Sequence, residues 1–309
     1  MDIAVIGSNM VDLITYIDRM PNAGETLEAP AFEIGCGGKG ANQAVAAAKL
    51  GASVMMVTCV GDDVFADNTV RNLQQAGVDT RHVKKVTGVS SGVAPIFVDS
   101  ASQNRILIVK GANDRLLPAD IERAAPALQA CRLMILQLEI PLETVYAAID
   151  FARRQRIAVI LNPAPASREL DIAYACQCDF FIPNETELEI LTGMPVDSEE
   201  NILRAGRTLL EKGLRNLIVT LGQRGALWLT GDRVEHVASL PVKAVDTSGA
   251  GDAFIGCFAH EYVRHGEVLQ AMRQASAYAA YSVTGKGTQR SYPDASQFLD
   301  FITAQQQGK

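Results

Sequence analysis

The chain contains 309 residues, 48% of them hydrophobic, and its 28 basic and 35 acidic side chains leave a formal net charge of −7. This length suffices for one large core with a small appendage, and no apolar run reaches the length of a membrane span. The acidic balance, without a basic cluster, argues against nucleic acid as a partner. Six scattered cysteines lack zinc-site spacing, and the chain begins with a strand pattern rather than a signal peptide. We therefore expect a soluble, cytoplasmic protein with free thiols.

Apolar runs of strand length alternate with helical patterns along most of the chain. Strands are predicted at 2–7, 53–59, 133–138, 157–161, 179–182, 216–220, 226–229, 234–237 and 241–245. Helices are predicted at 39–50, 66–76, 118–128, 142–155, 185–192, 199–212, 252–264, 267–285 and 294–305. This alternation, with short connections, predicts an α/β fold in which a mostly parallel sheet is covered by helices on both faces.

Two stretches, 12–35 and 89–111, interrupt this alternation. Each contains a pair of short strand patterns, 13–17 with 26–34 and 92–98 with 105–109. We expect the four strands to form a small separate sheet within a single domain of residues 1–309. Such a sheet either covers one end of the main sheet as a lid or pairs with a second chain.

The segment 245–256, VDTSGAGDAFIG, joins the predicted strand 241–245 to a helix that we expect to begin at Asp252. Its small residues let backbone N–H groups point outward, and the dipole of the helix adds to them, which predicts an anion site. A carboxylate repels a bound phosphate, so Asp252 beside that site indicates a base for phosphoryl transfer to a hydroxyl. The alternative is an ordinary glycine turn in which Asp252 caps its helix.

Two polar segments near the start of the chain have the composition of ligand-binding loops. Asp12 follows the first apolar strand, where it either accepts two adjacent hydroxyls of a polyol or forms a turn. Segment 35–43, GCGGKGANQ, places four glycines around Lys39 ahead of a helix, which predicts a backbone cradle for an anion or a sugar. It matches neither the Walker A loop nor the glycine pattern of dinucleotide-binding folds. Lys39 and Asn42 lie three residues apart at the helix start, so both can face one ligand.

Three later segments follow predicted strand ends, where ligands bind in open parallel sheets. The first is 137–139, with sequence QLE. In the second, Asn184 caps the next helix or binds a ligand, and the acidic residues of 185–189 favour that helix start or hold hydrated Mg²⁺. The third, the glycine turn 220–225, shapes a nucleotide pocket or is a plain hairpin.

Three of these motifs together resemble the ribokinase (phosphofructokinase-B) family of carbohydrate kinases over essentially the full chain. They are GGKG at 37–40 with Asn42, NETE at 184–187, and DTSGAGD at 246–252. The resemblance implies a three-layer α/β core with a β-sheet lid, and two lids that clasp each other in a homodimer. It also implies transfer of the γ-phosphate of ATP to the primary hydroxyl of a sugar, normally O5 of a pentose.

The resemblance implies roles for individual residues as well. Asp252 matches the catalytic base, and the amides of Ala250 and Gly251 match an anion hole for the phosphoryl group. The implied sugar contacts are Met10, Asp12, Gly38, Lys39, Asn42 and Glu139. The implied nucleotide contacts are Asn184, Thr220, Gly222, Gly225, Gly251 and Ser276, the last at a position near the adenine that often holds His or Asn in the family. Mg²⁺ is expected with ATP, and a monovalent cation, K⁺, is expected at Asp246, Ser248, Ser282, Gly285, Gly287 and Ser291.

Met10 departs from the family pattern, which usually has Asn two residues before the sugar-binding Asp. In an extended segment Met10 and Asp12 point to the same side, so both would line the sugar pocket. A thioether is a weak acceptor, and a sugar hydroxyl buried against it loses about 1–3 kcal/mol. A CH₂ group of the sugar fits well against this thioether. The whole sequence, including 10–12 and Cys36, looks most like the branch of the family that phosphorylates 2-deoxy-D-ribose. A kinase for D-ribose, a nucleoside kinase and a non-catalytic sugar sensor are the alternatives.

Overall fold

The structure, a computed structural model, describes residues 1–99 and 104–307. Its strands are β1 (Ile3–Ile6), β2 (Met10–Tyr16), β3 (Ala31–Gly37), β4 (Val54–Val60), β5 (Asp79–Lys85), β6 (Gly92–Val98), β7 (Asn104–Ile106), β8 (Leu133–Leu136), β9 (Ala158–Leu161), β10 (Phe180–Phe181), β11 (Leu217–Thr220), β12 (Ala226–Leu229) and β13 (Val234–Val237). Its helices are α1 (Lys39–Lys49), α2 (Ala66–Gln75), α3 (Pro118–Leu128), α4 (Leu142–Gln155), α5 (Ile172–Ala175), α6 (Glu185–Thr192), α7 (Glu199–Glu211), α8 (Ala250–His265), α9 (Val268–Ser282) and α10 (Ala295–Gln307). None of the helices in these two ranges is long and apolar enough to cross a membrane.

The larger sheet has nine strands in the order β13-β12-β11-β10-β9-β8-β1-β4-β5. Neighbours from β11 to β5 pair in parallel, whereas the β11–β12 and β12–β13 pairs are antiparallel. The predicted α/β class with a mostly parallel sheet is therefore confirmed.

Two apolar cores lie on the two faces of this sheet. Because strand side chains alternate, Ile3 and Val5 of β1 enter one core, and Ala4 and Ile6 enter the other. The first core is completed by α1, α2, α8, α9 and α10, and the second by α3 to α7. The result is three layers, with helices on both faces of the sheet.

The smaller sheet has the strand order β3-β2-β6-β7 and contains the strands predicted within 12–35 and 89–111. β2 pairs with β3 antiparallel and with β6 in parallel. Strand β2 begins at Met10, two residues before the predicted segment 12–35. β7 ends at Ile106, and a single bridge from Val93 to Val109 continues its pairing. Residues 100–103 of the predicted segment 89–111 lie outside the described residues.

Two sequence-based predictions of elements were wrong. Residues 241–245 form no strand, because Pro241 has no N–H group and the amides of Val245 and Asp246 donate to the carbonyl of Val283 instead of to a strand. The helix after them begins at Ala250 rather than at Asp252. β5 was missed because its sequence, DTRHVKK, is polar and only half buried at the sheet edge.

Helices α1 and α8 pack against each other very closely. A Cβ atom at Gly256 would lie 2.5 Å from the Cβ atom of Ala46 and 2.7 Å from the carbonyl oxygen of Gln43. Only glycine fits that separation, since real Cβ contacts are longer. The close approach brings the first turn of α1 beside the first turn of α8.

Candidate active site

Asp252 lies in the first turn of α8 and is 6% exposed. Its Oδ2 atom accepts a hydrogen bond from Asn42 Nδ2 at 2.9 Å, and its Oδ1 atom accepts one from Gln43 Nε2 at 2.8 Å. Both donors belong to the first turns of α1, so they are held by the contact between the two helices. A buried carboxylate needs such donors, because its charge is costly without them.

The two predicted anion-hole amides differ in their surroundings. Gly251 is exposed, and no atom lies within 4 Å of a Cβ atom built there. Among the described residues no hydrogen bond uses its amide, whereas the amide of Ala250 donates to the carbonyl of Thr247 at 3.3 Å. The first turn of α8 therefore presents an open amide directly before Asp252, as an anion site requires.

Lys39 begins α1 and is surrounded by carboxylates. Burial lowers its pKa, but Asp252, Glu139 and Glu187 outweigh that effect and raise the pKa above its usual value. Glu139 closes the start of the helix, because its Oε2 atom accepts from the Lys39 amide at 2.9 Å and from the Ser8 hydroxyl. Burial raises the pKa of Glu139, while Lys39 and the two donors oppose the rise. The predicted residues Lys39, Asn42 and Glu139 thus lie at one site.

Asp12 lies within β2 of the smaller sheet, not in a turn after β1, so the turn interpretation was wrong. Its carboxylate occupies the space beside Gly37, where a Cβ atom would lie 2.2 Å from Asp12 Oδ1. Burial, with repulsion from Glu139 and Asp252, raises the pKa of Asp12 to about 7. These electrostatic contacts place Asp12 at the same site as the residues of the larger sheet.

Met10 is two residues before Asp12 in β2, so the two side chains lie on the same face of the smaller sheet. The Met10 side chain is 2% exposed and belongs to neither apolar core. Its amide nitrogen would lie 2.9 Å from a Cβ atom at Gly38. Met10 is therefore buried directly beside the loop that begins α1.

Four of the predicted nucleotide residues, Asn184, Thr220, Gly222 and Gly225, lie next to α6, whereas Gly251 is in the first turn of α8. Asn184 caps α6, since its Oδ1 atom accepts from the Glu187 amide at 2.8 Å, and it also forms a parallel bridge with Thr220. Gly222 and Gly225 follow in the hairpin from β11 to β12, and Arg224 of that hairpin pairs with Glu185. Ser276 is buried in α9, and its Oγ atom has no hydrogen-bond partner in the described ranges.

Two acidic residues at the start of α6 stabilise the helix and its contact with the neighbouring hairpin. Glu187 accepts the Asn184 amide at 2.8 Å, which completes a capping box, and Glu185 is paired with Arg224. Burial raises the pKa of Glu187, and its electrostatic contacts with Lys39 and Asp252 place it near those two residues. Within the described residues, no group of three His, Cys, Asp or Glu side chains has the geometry of a metal site.

Asp246 joins the two loops that carry the predicted cation ligands. Its carboxylate accepts the Ser248 amide and the Gly287 amide, each at 2.9 Å. A Cβ atom at Gly285 would lie 3.1 Å from Ser291 Cβ, so these two also adjoin. The hydroxyl of Ser291 donates to the carbonyl of Thr288, and that of Ser282 donates to the carbonyl of Ala279. The loops thus form an oxygen-rich junction next to the start of α8.

The smaller sheet contacts both of these loops. Arg290 donates to the carbonyl of Ile34 at 3.2 Å and lies 3.7 Å from Glu33, and Asn104 donates to Ser248 Oγ at 3.3 Å. A cavity of about 810 Å³ lies between the sheet and the loops. Residues from both sides line it, among them Asp12, Asp246 and Gln289.

Sequence reasoning missed the importance of Gln43 and Gln289. Gln43 lies next to Asn42 in the segment 35–43, and its position in the first turns of α1 could have indicated that it faces the same site. Gln289 donates to Asn42 Oδ1 at 2.9 Å from a loop 247 residues away in the sequence. No local sequence pattern around Gln289 predicts this contact.

A buried carboxylate beside an open helix N-terminus, at a site shared by two sheets, defines a small-molecule phosphotransferase. Comparison with known proteins gives the same class. The profile of the pfkB family carbohydrate kinases matches residues 1–295. The chain belongs to the pfkB family of carbohydrate kinases.

Individual relatives match along nearly the whole chain. The chain is 65% identical over 303 residues to the deoxyribokinase of Salmonella typhi, with 98% of this chain and 99% of that protein covered. It is 39% identical over 295 residues to the ribokinase of Mus musculus, with 94% and 91% covered. The structure of Arabidopsis thaliana ribokinase complexed with ribose and ATP superposes with a TM-score of 0.91 at 30% identity, covering 97% of this chain and 98% of that one.

The raised pKa of Asp12 predicts a pH dependence of stability. Between its usual value of 3.8 and about 7, the folded chain binds this proton more tightly than the unfolded chain. The contribution of Asp12 is therefore present at low pH and lost as the pH rises through about 7. We expect the free energy of unfolding, measured with denaturant and without ligands, to fall less between about pH 5 and pH 8 in Asp12→Asn than in the wild type. Asp232→Asn, a change at an exposed carboxylate, is the control, and equal slopes for Asp12→Asn and wild type would contradict the prediction.

Proposed function

We propose that this carbohydrate kinase transfers the γ-phosphate of ATP to the 5-hydroxyl of 2-deoxy-D-ribose. The observation that carries the reaction type is Asp252, whose buried carboxylate accepts hydrogen bonds from two amide donors beside the open amide of Gly251. The choice of sugar is supported by the 65% identical relative, a deoxyribokinase, and by Met10 on the same face of β2 as Asp12.

In the proposed mechanism Asp252 takes the proton of the sugar 5-hydroxyl as the phosphoryl group moves in line. The amides of Gly251 and Ala250 stabilise the charge that develops on the transferring oxygens, once Ala250 exchanges its contact with Thr247 for the anion. Asp12 accepts hydrogen bonds from ring hydroxyls and thereby orients the sugar. Glu139 is proposed to contact the sugar as well, since its Oε2 atom is used but no hydrogen bond of the described residues uses Oε1.

ATP is proposed to bind along α6 and the hairpin from β11 to β12, where Asn184, Thr220, Gly222 and Gly225 lie together. Mg²⁺ is proposed to arrive with the phosphates, because Glu187 is engaged in the capping box of α6 and Glu185 in the pair with Arg224. When bound it neutralises charge on the phosphoryl oxygens. Buried Ser276 Oγ has no partner within the described structure, which supports the proposed polar contact to the adenine.

A monovalent cation, K⁺, is proposed at the junction that Asp246 organises. The fit lies in the chemistry of the residues that adjoin there, since Asp246 holds the amides of Ser248 and Gly287 together and Gly285 lies beside Ser291, which supplies a carboxylate, hydroxyls and carbonyls. Such a hard cation binds oxygen ligands. When bound it supplies positive charge next to the first turn of α8.

A homodimer formed through the smaller sheet is proposed as the assembly. Exposed large apolar side chains occur on its edge strands and the segment after them, at Phe32, Ile34, Ile106, Leu107, Ile108 and Val109. Edge strands with such side chains favour association with another chain.

A reducing, cytoplasmic location is also proposed, and the six free cysteines support it.

The dimer is tested by Leu107→Asp, which places a charge at a side chain that is 63% exposed. We expect the wild type to sediment as a dimer and Leu107→Asp to shift toward monomer, because burying an unpaired charge is costly. Leu299→Asp makes the same change at a side chain that is 66% exposed on α10, a helix of the larger sheet, and is expected to remain dimeric. A monomeric wild type, or equal behaviour of both variants, would refute this interface.

The role of Asp252 is tested by Asp252→Asn. We expect turnover to fall by about 10²- to 10⁴-fold, because the base is lost, while calorimetry still detects sugar binding. Glu267→Gln, at an exposed acid before α9, is the control and is expected to keep full turnover. Substantial remaining turnover in Asp252→Asn would rule out the base assignment.

The choice of sugar is tested by ADP release with 2-deoxy-D-ribose, D-ribose and adenosine, each with K⁺ or Na⁺. We expect the wild type to favour 2-deoxy-D-ribose by roughly 5- to 150-fold in kcat/KM, the factor that corresponds to about 1–3 kcal/mol for an unsatisfied hydroxyl. Met10→Asn is expected to move the preference toward D-ribose, whereas Met10→Leu keeps it. We expect K⁺ to support the higher rate.

Each arm of this panel has an outcome that contradicts the proposal. A wild type that favours D-ribose makes the argument from Met10 wrong. No ADP release with any pentose would indicate a sugar sensor, and release with adenosine alone would indicate a nucleoside kinase. Equal rates with K⁺ and Na⁺ would remove the preference for K⁺.

A further inference from the structure

A chain of side-chain amides leads from Asp252 to the wall of the cavity. Asn72 Nδ2 donates to Gln289 Oε1 at 2.6 Å, Gln289 Nε2 donates to Asn42 Oδ1 at 2.9 Å, and Asn42 Nδ2 donates to Asp252 Oδ2 at 2.9 Å. Three amides are thus arranged in series, each with its oxygen toward the cavity and its nitrogen toward Asp252. We refer to Asn72, Gln289 and Asn42 as the amide relay.

The direction of this relay follows from chemistry. An ionised carboxylate only accepts hydrogen bonds, so Asn42 must turn its nitrogen to Asp252 and its oxygen to Gln289. Gln289 must then turn its nitrogen to Asn42, and its oxygen is left for a donor at Asn72. Each side-chain amide has a donor, its nitrogen, and an acceptor, its oxygen. The orientation of the amide at one end of the relay therefore determines the orientation of the others.

A second amide chain on the other oxygen shows the same direction. Gln137 Nε2 donates to Gln43 Oε1 at 2.7 Å, and Gln43 Nε2 donates to Asp252 Oδ1. The oxygen at the far end, Gln137 Oε1, is buried and has no partner within the described structure. An unsatisfied buried acceptor is costly, yet turning this amide around would set its oxygen against that of Gln43. The donors of both chains are therefore directed at the base.

The middle of the relay is anchored by main-chain contacts. Lys49 Nζ donates to the carbonyl of Gln289 at 3.0 Å and to that of Tyr292 at 2.7 Å. The next residue, Arg290, contacts Ile34 of the smaller sheet. The backbone of Gln289 thus has a defined position. Asn72 lies on α2, is half-buried and lines the cavity, so it is the end of the relay that is nearest to solvent.

We propose that Asn72 is a positioning residue for the base, which acts through Gln289 and Asn42: it donates to Gln289 Oε1 and so holds the relay in the direction that Asp252 requires. This inference rests on the proposed role of Asp252 as the base. A donor at position 72 lets every link form while Asn42 holds the carboxylate. An acceptor at position 72 leaves the relay between two carboxylates, so one link is lost: Gln289 Oε1 faces the new carboxylate, or two amide oxygens meet, or an amide oxygen faces Asp252.

The test is the substitution Asn72→Asp, which replaces the donor by an acceptor of nearly the same shape. We expect kcat with 2-deoxy-D-ribose to fall by at least about 10-fold, while KM for the sugar changes by less than about 3-fold, because the base rather than sugar binding is disturbed. Asn72→Leu removes the donor but adds no acceptor, so Gln289 Oε1 loses its partner while Asp252 still orients Asn42, and we expect a loss of kcat between that of Asn72→Asp and the wild type. Gln74→Glu, an exposed site on the same helix, is the control for charge and is expected to match the wild type.

A double-mutant cycle separates the relay from an effect of folding or charge. Gln289→Leu interrupts the relay, so adding Asn72→Asp to it should cause no further loss of kcat. Additive losses, or equal activity of Asn72→Asp and Gln74→Glu, would overturn the relay. A parallel measurement on Asp252→Asn distinguishes the failures: if it retains turnover, the proposed base is wrong, and if it loses turnover while Asn72→Asp is unaffected, only the relay is wrong.

Discussion

The two hydrogen bonds from α1 to the carboxylate of Asp252 connect the parts of the site. They require the first turns of α1 and α8 to lie side by side, which the absence of a side chain at Gly256 allows. They also supply the donors without which a buried carboxylate is unfavourable. The start of α1 carries Lys39 and is closed by Glu139, so these groups are positioned by the same contact. Local packing of these two helices thereby determines where Asp252, Lys39 and Glu139 lie relative to one another.

The site contains more buried carboxylates than cations. Lys39 is near Asp252, Glu139 and Glu187, and burial raises the pKa of Asp12, Glu139 and Glu187. Such an environment suits a neutral polyol, whose hydroxyls donate to carboxylates. It disfavours a polyphosphate without counter-ions, since like charges at short distance repel strongly at low dielectric. The open amide of Gly251 and cations that accompany the nucleotide are therefore the expected means of admitting ATP.

Much of the fold could be predicted from the sequence because apolar residues recur with period 2 in strands and 3.6 in helices. The failures have physical causes: 241–245 has the composition of a strand but no partner strand, and β5 has a partner but a polar edge sequence. The site was predictable where its residues form contiguous motifs, as at 37–42 and 246–252. Gln289 was not predictable, because its role depends on a hydrogen bond across 247 residues. Asp12 lies in the smaller sheet, within the segment 12–35 predicted for it, and only the interpretation of Asp12 as a turn residue was wrong.

The separation of Asp12 and Asp252 onto two sheets has a consequence for how such a protein changes over generations. Asp12 and Met10 belong to β2, whereas Asp252 and its amide donors belong to helices packed on the larger sheet. Only residues 7–9 join β1 to β2. Substitutions on the face of β2 therefore alter the surroundings of a ligand without touching the packing of α1 against α8. New ligand preferences can accumulate on one sheet while the reaction chemistry on the other is inherited unchanged.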